Sequence, residues 1–152
     1  MQRRTFLHAA LLLGAIPTVG FAKTSLPVIE VYKTPTCGCC TDWLDHLRAN
    51  GFKVNAHNVQ DTGPYRAKFG VPQSLGSCHT GTIGDYALEG HVPAADIKRL
   101  LAEKPKAKGL AVPGMPMGSP GMEVAGEPAD AYDVLLFQAD GKYKVYSHYA
   151  AK

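Results

Sequence analysis

Three of the four cysteines in this chain fall within four positions, in the run Thr34-Pro35-Thr36-Cys37-Gly38-Cys39-Cys40, and the fourth, Cys78, is followed by His79. Thiols this dense pair with one another, react, or capture a soft metal. Cys37 and Cys40 form a C-x-x-C pair, which taken alone reads as a redox dithiol. At a helix N-terminus their thiolates would be stabilised by the dipole and the free N–H groups. Cys39 complicates that reading. A third thiol inside the motif would attack any disulfide formed by its neighbours, a poor arrangement for clean thiol exchange.

Metal chemistry explains the third thiol better. Adjacent side chains on a helix diverge by about 100°, so one tetrahedral ion would struggle to take Cys39 and Cys40 together. Four thiolates around one Zn²⁺ leave two net negative charges, and around one Cu⁺ three, which is costly to bury without basic partners. Lys33 is the basic residue near the motif in sequence. Thiolates bridging several Cu⁺ ions approach neutrality and are free to point in different directions. Soft sulfur ligands select Cu(I) over Mg, Ca or Mn. The expected metal ligands are therefore Cys37, Cys39, Cys40 and Cys78, with His79, Met115 and Met117 as further candidates.

Alternatives stand beside this. Four cysteines in an exported protein ordinarily form two disulfides, here Cys37–Cys40 and Cys39–Cys78. His79 either ligates or hydrogen-bonds its own loop. Methionines commonly fill cores, and Met122 suits that role, whereas Met115, beside Pro116, is the thioether expected to face the cysteines. His46 is expected on the solvent face of its helix, and His57, His91 and His148 are scattered without ligand spacing. No Ser-His-Asp grouping, phosphate-binding glycine loop or paired acids support a hydrolase or a nucleotide enzyme.

The elements that must position these residues follow from periodicity. Leu26 to Tyr32 is a β-branched run typical of a buried strand. Cys40, Trp43, Leu44 and Leu47 then lie at i, i+3, i+4 and i+7 on one helical face, closed by Asn50-Gly51. Phe52 to Val59 alternates as a second strand, giving β-α-β with a right-handed crossover. A short helix is expected near Pro64 to Phe69 and a turn to Leu75. Ser77 to Gly81 reads as a loop and Thr82 to Gly90 as one strand. A helix starts at Pro93 and ends before Pro105. Gly109 to Gly126 holds five glycines and three prolines in 18 residues and reads as a shaped loop. A hairpin closes the chain, Tyr132 to Phe137 and Tyr143 to Tyr146, turning at Asp140-Gly141.

One domain suits 152 residues of which 45% are apolar. Residues 1–22 read as a signal peptide: Arg3-Arg4, an apolar run from Phe6 to Ile16, and small residues at Gly20 and Ala22 before the cut. The twin arginine fits a route that exports folded proteins; an ordinary secretory signal is the alternative. The apolar run is too short to span a membrane. Removing Arg3 and Arg4 leaves 14 basic against 13 acidic residues, too balanced for a nucleic-acid or membrane-surface partner. The expected location of the mature domain, residues 23–152, is the periplasm.

The order β-α-β, helix, C-terminal β-hairpin, with cysteines at a helix N-terminus, resembles the thioredoxin superfamily, an α/β fold around a central sheet. In that superfamily a proline before the third strand, usually cis, lies against the cysteines, and Met115-Pro116 is expected to fill that slot. More narrowly, Thr34 to Cys40, Ser77-Cys78-His79-Thr80 and Gly109 to Glu123 together resemble the CopG-type family of small exported proteins encoded near copper-resistance genes. Sequestration, delivery to a partner and interconversion of Cu(I) and Cu(II) are the tasks open to a cysteine copper site; the resemblance implies a thioredoxin-like domain binding copper through its cysteines as a multinuclear Cu(I) cluster. It also implies copper ions, and another periplasmic copper-handling protein, as partners. A thiol-disulfide oxidoreductase using Cys37 and Cys40 is the competing function.

Overall fold

The computed structural model describes residues 26–152; the signal segment expected at 1–22 lies outside them. Strand β1 (Ile29–Lys33) buries Ile29, Val31 and Lys33 on one face. Helix α1 (Gly38–Ala49) follows and buries Cys40, Trp43, Leu44 and Leu47, the stripe its 3.6-residue period predicts. It stops at Asn50-Gly51, where Gly51 takes φ +88°. Strand β2 (Val54–Asn58) then pairs parallel to β1, completing a β-α-β unit.

Helix α2 (Gly63–Lys68) and a 3₁₀ turn at Gln73–Leu75 lead into β3 (His79–Ile83) and β4 (Tyr86–Glu89). Helix α3 (Ala94–Glu103) and strands β5 (Gly109–Ala111), β6 (Tyr132–Phe137) and β7 (Tyr143–Tyr149) complete the described chain. The strands form one mixed sheet in the order β2-β1-β3-β4-β5-β6-β7. β3 is antiparallel to both β1 and β4, and β4 runs parallel to β5.

Two expectations are corrected here. The loop at Ser77–Gly81 and the single strand at Thr82–Gly90 are instead a hairpin, with Ile83 opposite Tyr86 across the two-residue turn Gly84-Asp85. Gly84 takes φ +56°, the left-handed backbone such turns require. His46 is not on the solvent face. It lies one turn from Trp43, flanks the buried stripe, and its Nε2 accepts the Ala94 N–H at 3.1 Å, fastening α1 to the start of α3.

The sheet carries a core on each face. Trp43, Leu44 and Leu47 of α1 and Ile97 and Leu100 of α3 pack on Ile29, Val31, Ile83, Leu88 and Leu110. Val71 and Leu75, after α2, pack on Ala87, Ala111 and Phe137 across the sheet. Alternation within strands assigns the faces: Leu88 and Leu110 point one way, Ala87 and Ala111 the other. No helix among the described residues is long and apolar enough to cross a membrane.

Candidate metal centre

The cysteine motif sits where β1 hands over to α1. A turn closed by Cys37 N–H to Thr34 O, 3.2 Å, brings the chain round, and Cys37 becomes the N-cap of α1 without a side-chain cap bond. Cys37 and Cys40 are joined in a disulfide, their Cα atoms 5.3 Å apart. Cys39 and Cys78 are free. The second disulfide of the alternative pairing, Cys39–Cys78, is not formed; Cys39 Sγ is 3.6 Å from Cys37 Sγ, and Cys78 Sγ is 3.6 Å from Cys40 Sγ. All four sulfurs lie within 4.8 Å of one another. Residues 38 positions apart are thus gathered at one helix mouth.

Two imidazoles reach the same sulfur. Cys78 Sγ is 3.3 Å from His79 Nδ1 and 3.2 Å from His91 Nε2, and the three residues form a second group of ligand type. His91 Nδ1 lies 2.8 Å from the Pro120 carbonyl oxygen, which only accepts, so Nδ1 carries the proton and the Nε2 lone pair faces Cys78. An outer hydrogen bond of this kind fixes the tautomer of a metal-binding histidine. His79 is fully buried against Trp43, ring centroids 4.3 Å apart, and its Nε2 has no hydrogen-bond partner among the described residues.

Burial sets the protonation states. It drives His79 down to about 3, with His91 adding to the effect, and lowers His91 as well. Burial, then the neighbouring Cys39, pushes the Cys78 thiol up to about 12. At neutral pH the site therefore offers neutral imidazoles and a protonated Cys78. Lys33, only 6% exposed, opposes His79 across the β1–β3 ladder and donates from Nζ to Thr34 O at 3.0 Å. Thiolate sulfur with imidazole nitrogen is a donor set suited to copper, and four thiolates can be shared among several Cu⁺ ions.

The glycine-rich loop covers the helix mouth by different residues from those expected. The peptide bond before Pro116 is trans, since the described residues contain no cis peptide. Met115 is 54% exposed, and Met117 lines a separate cleft with Glu123, Glu127 and Lys152. Pro120 and Gly121 approach the site, the first through its carbonyl against His91 and the second against α1. A Cβ on Gly121 would sit 2.6 Å from Trp43 N and 2.8 Å from Cys39 O, so only glycine lets the loop lie on the first turn of α1.

His91 is the site residue that sequence reasoning missed. A signal was present: in a two-residue hairpin turning at Gly84-Asp85, partners sum to 169, which sets Cys78 opposite His91 just beyond the Thr80–Glu89 pair. Ligand spacing along the chain does not reveal such a pair, but hairpin register does.

Comparison with known proteins follows the same residues. Residues 75–122, spanning Cys78, His79, His91 and the covering loop, match a family profile described as "Protein of unknown function, DUF411". Two solved structures, described as copper resistance protein CopG in its form 1 and form 2, are 49% and 48% identical to the chain. Each match covers 82% of this chain and 98% of the other, with a TM-score of 0.76. No curated protein sequence matches the chain.

Proposed function

The chain belongs to the CopG copper-resistance family, and from that premise we propose that it is a periplasmic protein of copper tolerance that holds copper as Cu(I), in a multinuclear cluster, through Cys37, Cys39, Cys40 and Cys78. The observation that carries this reading is the gathering of four sulfurs within 4.8 Å, from residues that include a vicinal pair. Thiolates this close repel one another unless cations lie among them, and bridging Cu⁺ ions neutralise what a single ion would leave charged. Reduction of the Cys37–Cys40 bond frees two of the four ligands, so the bond and the cluster exclude each other. His79 and His91 extend the donor set at Cys78 with neutral nitrogens. Such a mixed sulfur and nitrogen flank tolerates Cu(II) better than thiolates alone, which supports interconversion of Cu(I) and Cu(II) as a task of the same site.

The strand pairings support the thioredoxin-like reading. In β1-α1-β2-α2-β3-β4-α3, β1 and β2 are parallel and β3 is antiparallel to its neighbours, with β5, β6 and β7 added at the β4 edge. In that reading the third strand is β3, and the slot before it, assigned above to Met115-Pro116, falls to Cys78. The thioredoxin superfamily ordinarily sets a proline there against its cysteines; in this reading a fourth thiol takes that place. The expected signal peptide and its cleavage after Ala22 support the location.

The disulfide itself favours a second reading, a thiol-disulfide oxidoreductase with Cys37 attacking and Cys40 resolving. Cys39→Ser separates the two. In a copper cluster the change removes a bridging ligand and lowers bound Cu(I) per chain. In a dithiol enzyme it leaves insulin reduction by the metal-free protein intact, since Cys37 and Cys40 suffice. Unchanged copper binding together with robust reductase turnover in Cys39→Ser would decide for the enzyme.

A further inference from the structure

On the sheet face opposite α1, the smaller apolar core contains one buried ion pair. Arg66 of α2 donates from Nε to Glu89 Oε1 at 2.8 Å, with the Arg66 and Glu89 side chains 9% and 0% exposed. A buried pair of this kind is weak support for stability, because an apolar pair of similar volume often does as well. Its other hydrogen bonds suggest a different reason for it. Glu89 Oε1 also accepts the Ser77 N–H at 2.7 Å, and Arg66 Nη2 donates to the Ser77 carbonyl at 2.6 Å. Glu89 Oε2 accepts from Thr80 Oγ1 at 2.6 Å. The residue immediately before Cys78 is therefore gripped at both its N–H and its C=O, and the strand immediately after it is held by the same carboxylate.

Just past β4, Gly90 leaves the room that the Ser77 side chain occupies. Gly90 takes φ +69°, and a Cβ there would lie 2.7 Å from the Ser77 side chain. Ser77 Oγ donates to the Gly114 carbonyl, tying the segment to the covering loop. Charge-assisted bonds of this type are the stronger ones in proteins, and groups that orient a ligand govern its chemistry nearly as much as the ligand does.

We infer that Arg66 and Glu89 are positioning residues that hold Cys78 against the α1 cysteines, acting on a thiol they do not touch. The inference stands on the placement of Cys78 alone; its consequence for copper rests on the function proposed above.

The test uses the reduced, metal-free protein and reads iodoacetamide modification of each cysteine by mass spectrometry. Two variants loosen the grip: Arg66→Met/Glu89→Leu, which removes every bond from the pair while keeping volume and apolar packing, and Arg66→Met/Glu89→Gln, which removes the bond to the Ser77 carbonyl and leaves no buried charge unpaired. Leu136→Ala, in the other core, controls for general loss of stability. Release of Cys78 should speed its modification about fivefold or more in either folded variant, because thiol reactivity follows exposure and burial. Cys39 should keep its wild-type rate, and Leu136→Ala should leave Cys78 unchanged relative to Cys39. A Cys78 rate within about twofold of wild type in Arg66→Met/Glu89→Gln overturns the inference even if Arg66→Met/Glu89→Leu fails to fold, and so does an equal rise in Leu136→Ala. Cu(I) per chain is measured on the same samples. A faster Cys78 with undiminished copper would leave the positioning role standing and remove Cys78 from the proposed cluster.

Discussion

Cys78 is the residue on which the separate parts of the site converge: one sulfur 3.6 Å away, two imidazoles, and a backbone held by a buried ion pair. Burial that pushes its thiol up to about 12 keeps it protonated at neutral pH. Each Cu(I) taken through Cys78 must therefore displace its proton, and the apparent affinity rises with pH by about tenfold per unit for every proton released. Competition titrations at pH 6 and pH 8 should show tighter binding at pH 8, and Cys78→Ser should flatten the dependence by about one proton. Identical pH slopes in the two proteins would show that Cys78 is not a ligand. The chemistry of this residue was legible in the sequence as a thiol beside a histidine. The contact of His91 with its sulfur, and the hold of Arg66 and Glu89 on Ser77 beside it, were not, because they are made between strands and elements rather than along the chain.

Helix α1 was the most legible element. The apolar spacing of Cys40, Trp43, Leu44 and Leu47 needs nothing beyond the 3.6-residue period, and the cysteines are carried on it. The β3–β4 hairpin was hidden by its own burial: His79 to Ile83 and Tyr86 to Glu89 are nearly all inside, so no polar alternation marks them, and Gly84-Asp85 was the sole signal. The covering loop illustrates a different limit. Its composition announced a shaped segment, but the direction of a side chain on an aperiodic loop is set by contacts elsewhere, so Met115 faces out while Gly121 meets the helix. Gly121→Ala forces alanine into φ +85° and into backbone atoms of α1 that have no room to yield. The left-handed backbone alone costs roughly 1–2 kcal/mol, and the clash adds to it. Urea unfolding should show a loss of at least about 1 kcal/mol, and Cys39 should react faster in the reduced protein. A variant as stable as wild type would mean that the loop does not seal this end of α1.

At the scale of the molecule, three histidines tie stability to pH. Burial holds His46, His79 and His91 below the ordinary 6.5, so the folded chain binds fewer protons than the unfolded one. Their contribution is fully present above about pH 6.5 and is lost as pH falls through the lowered values, up to ~1.4 kcal/mol per unit for each histidine. Glu89, pushed up by burial, works in the opposite sense. The metal-free protein should melt lower at pH 5 than at pH 7, and His46→Gln should shrink the difference, since a neutral amide keeps an acceptor for Ala94. A melting temperature that is flat across that interval would contradict the assigned states. The same molecule gathers four sulfurs within 4.8 Å, with Lys33 buried at the end of the strand that leads into the motif, too little positive charge for four thiolates around one ion. Anaerobic titration of the fully reduced protein with Cu(I), with thiols counted before and after, tests that claim most directly. The cluster predicts saturation above one copper per chain with all four cysteines protected from alkylation; sharp saturation at a single copper, or a cysteine left reactive at saturation, would contradict it.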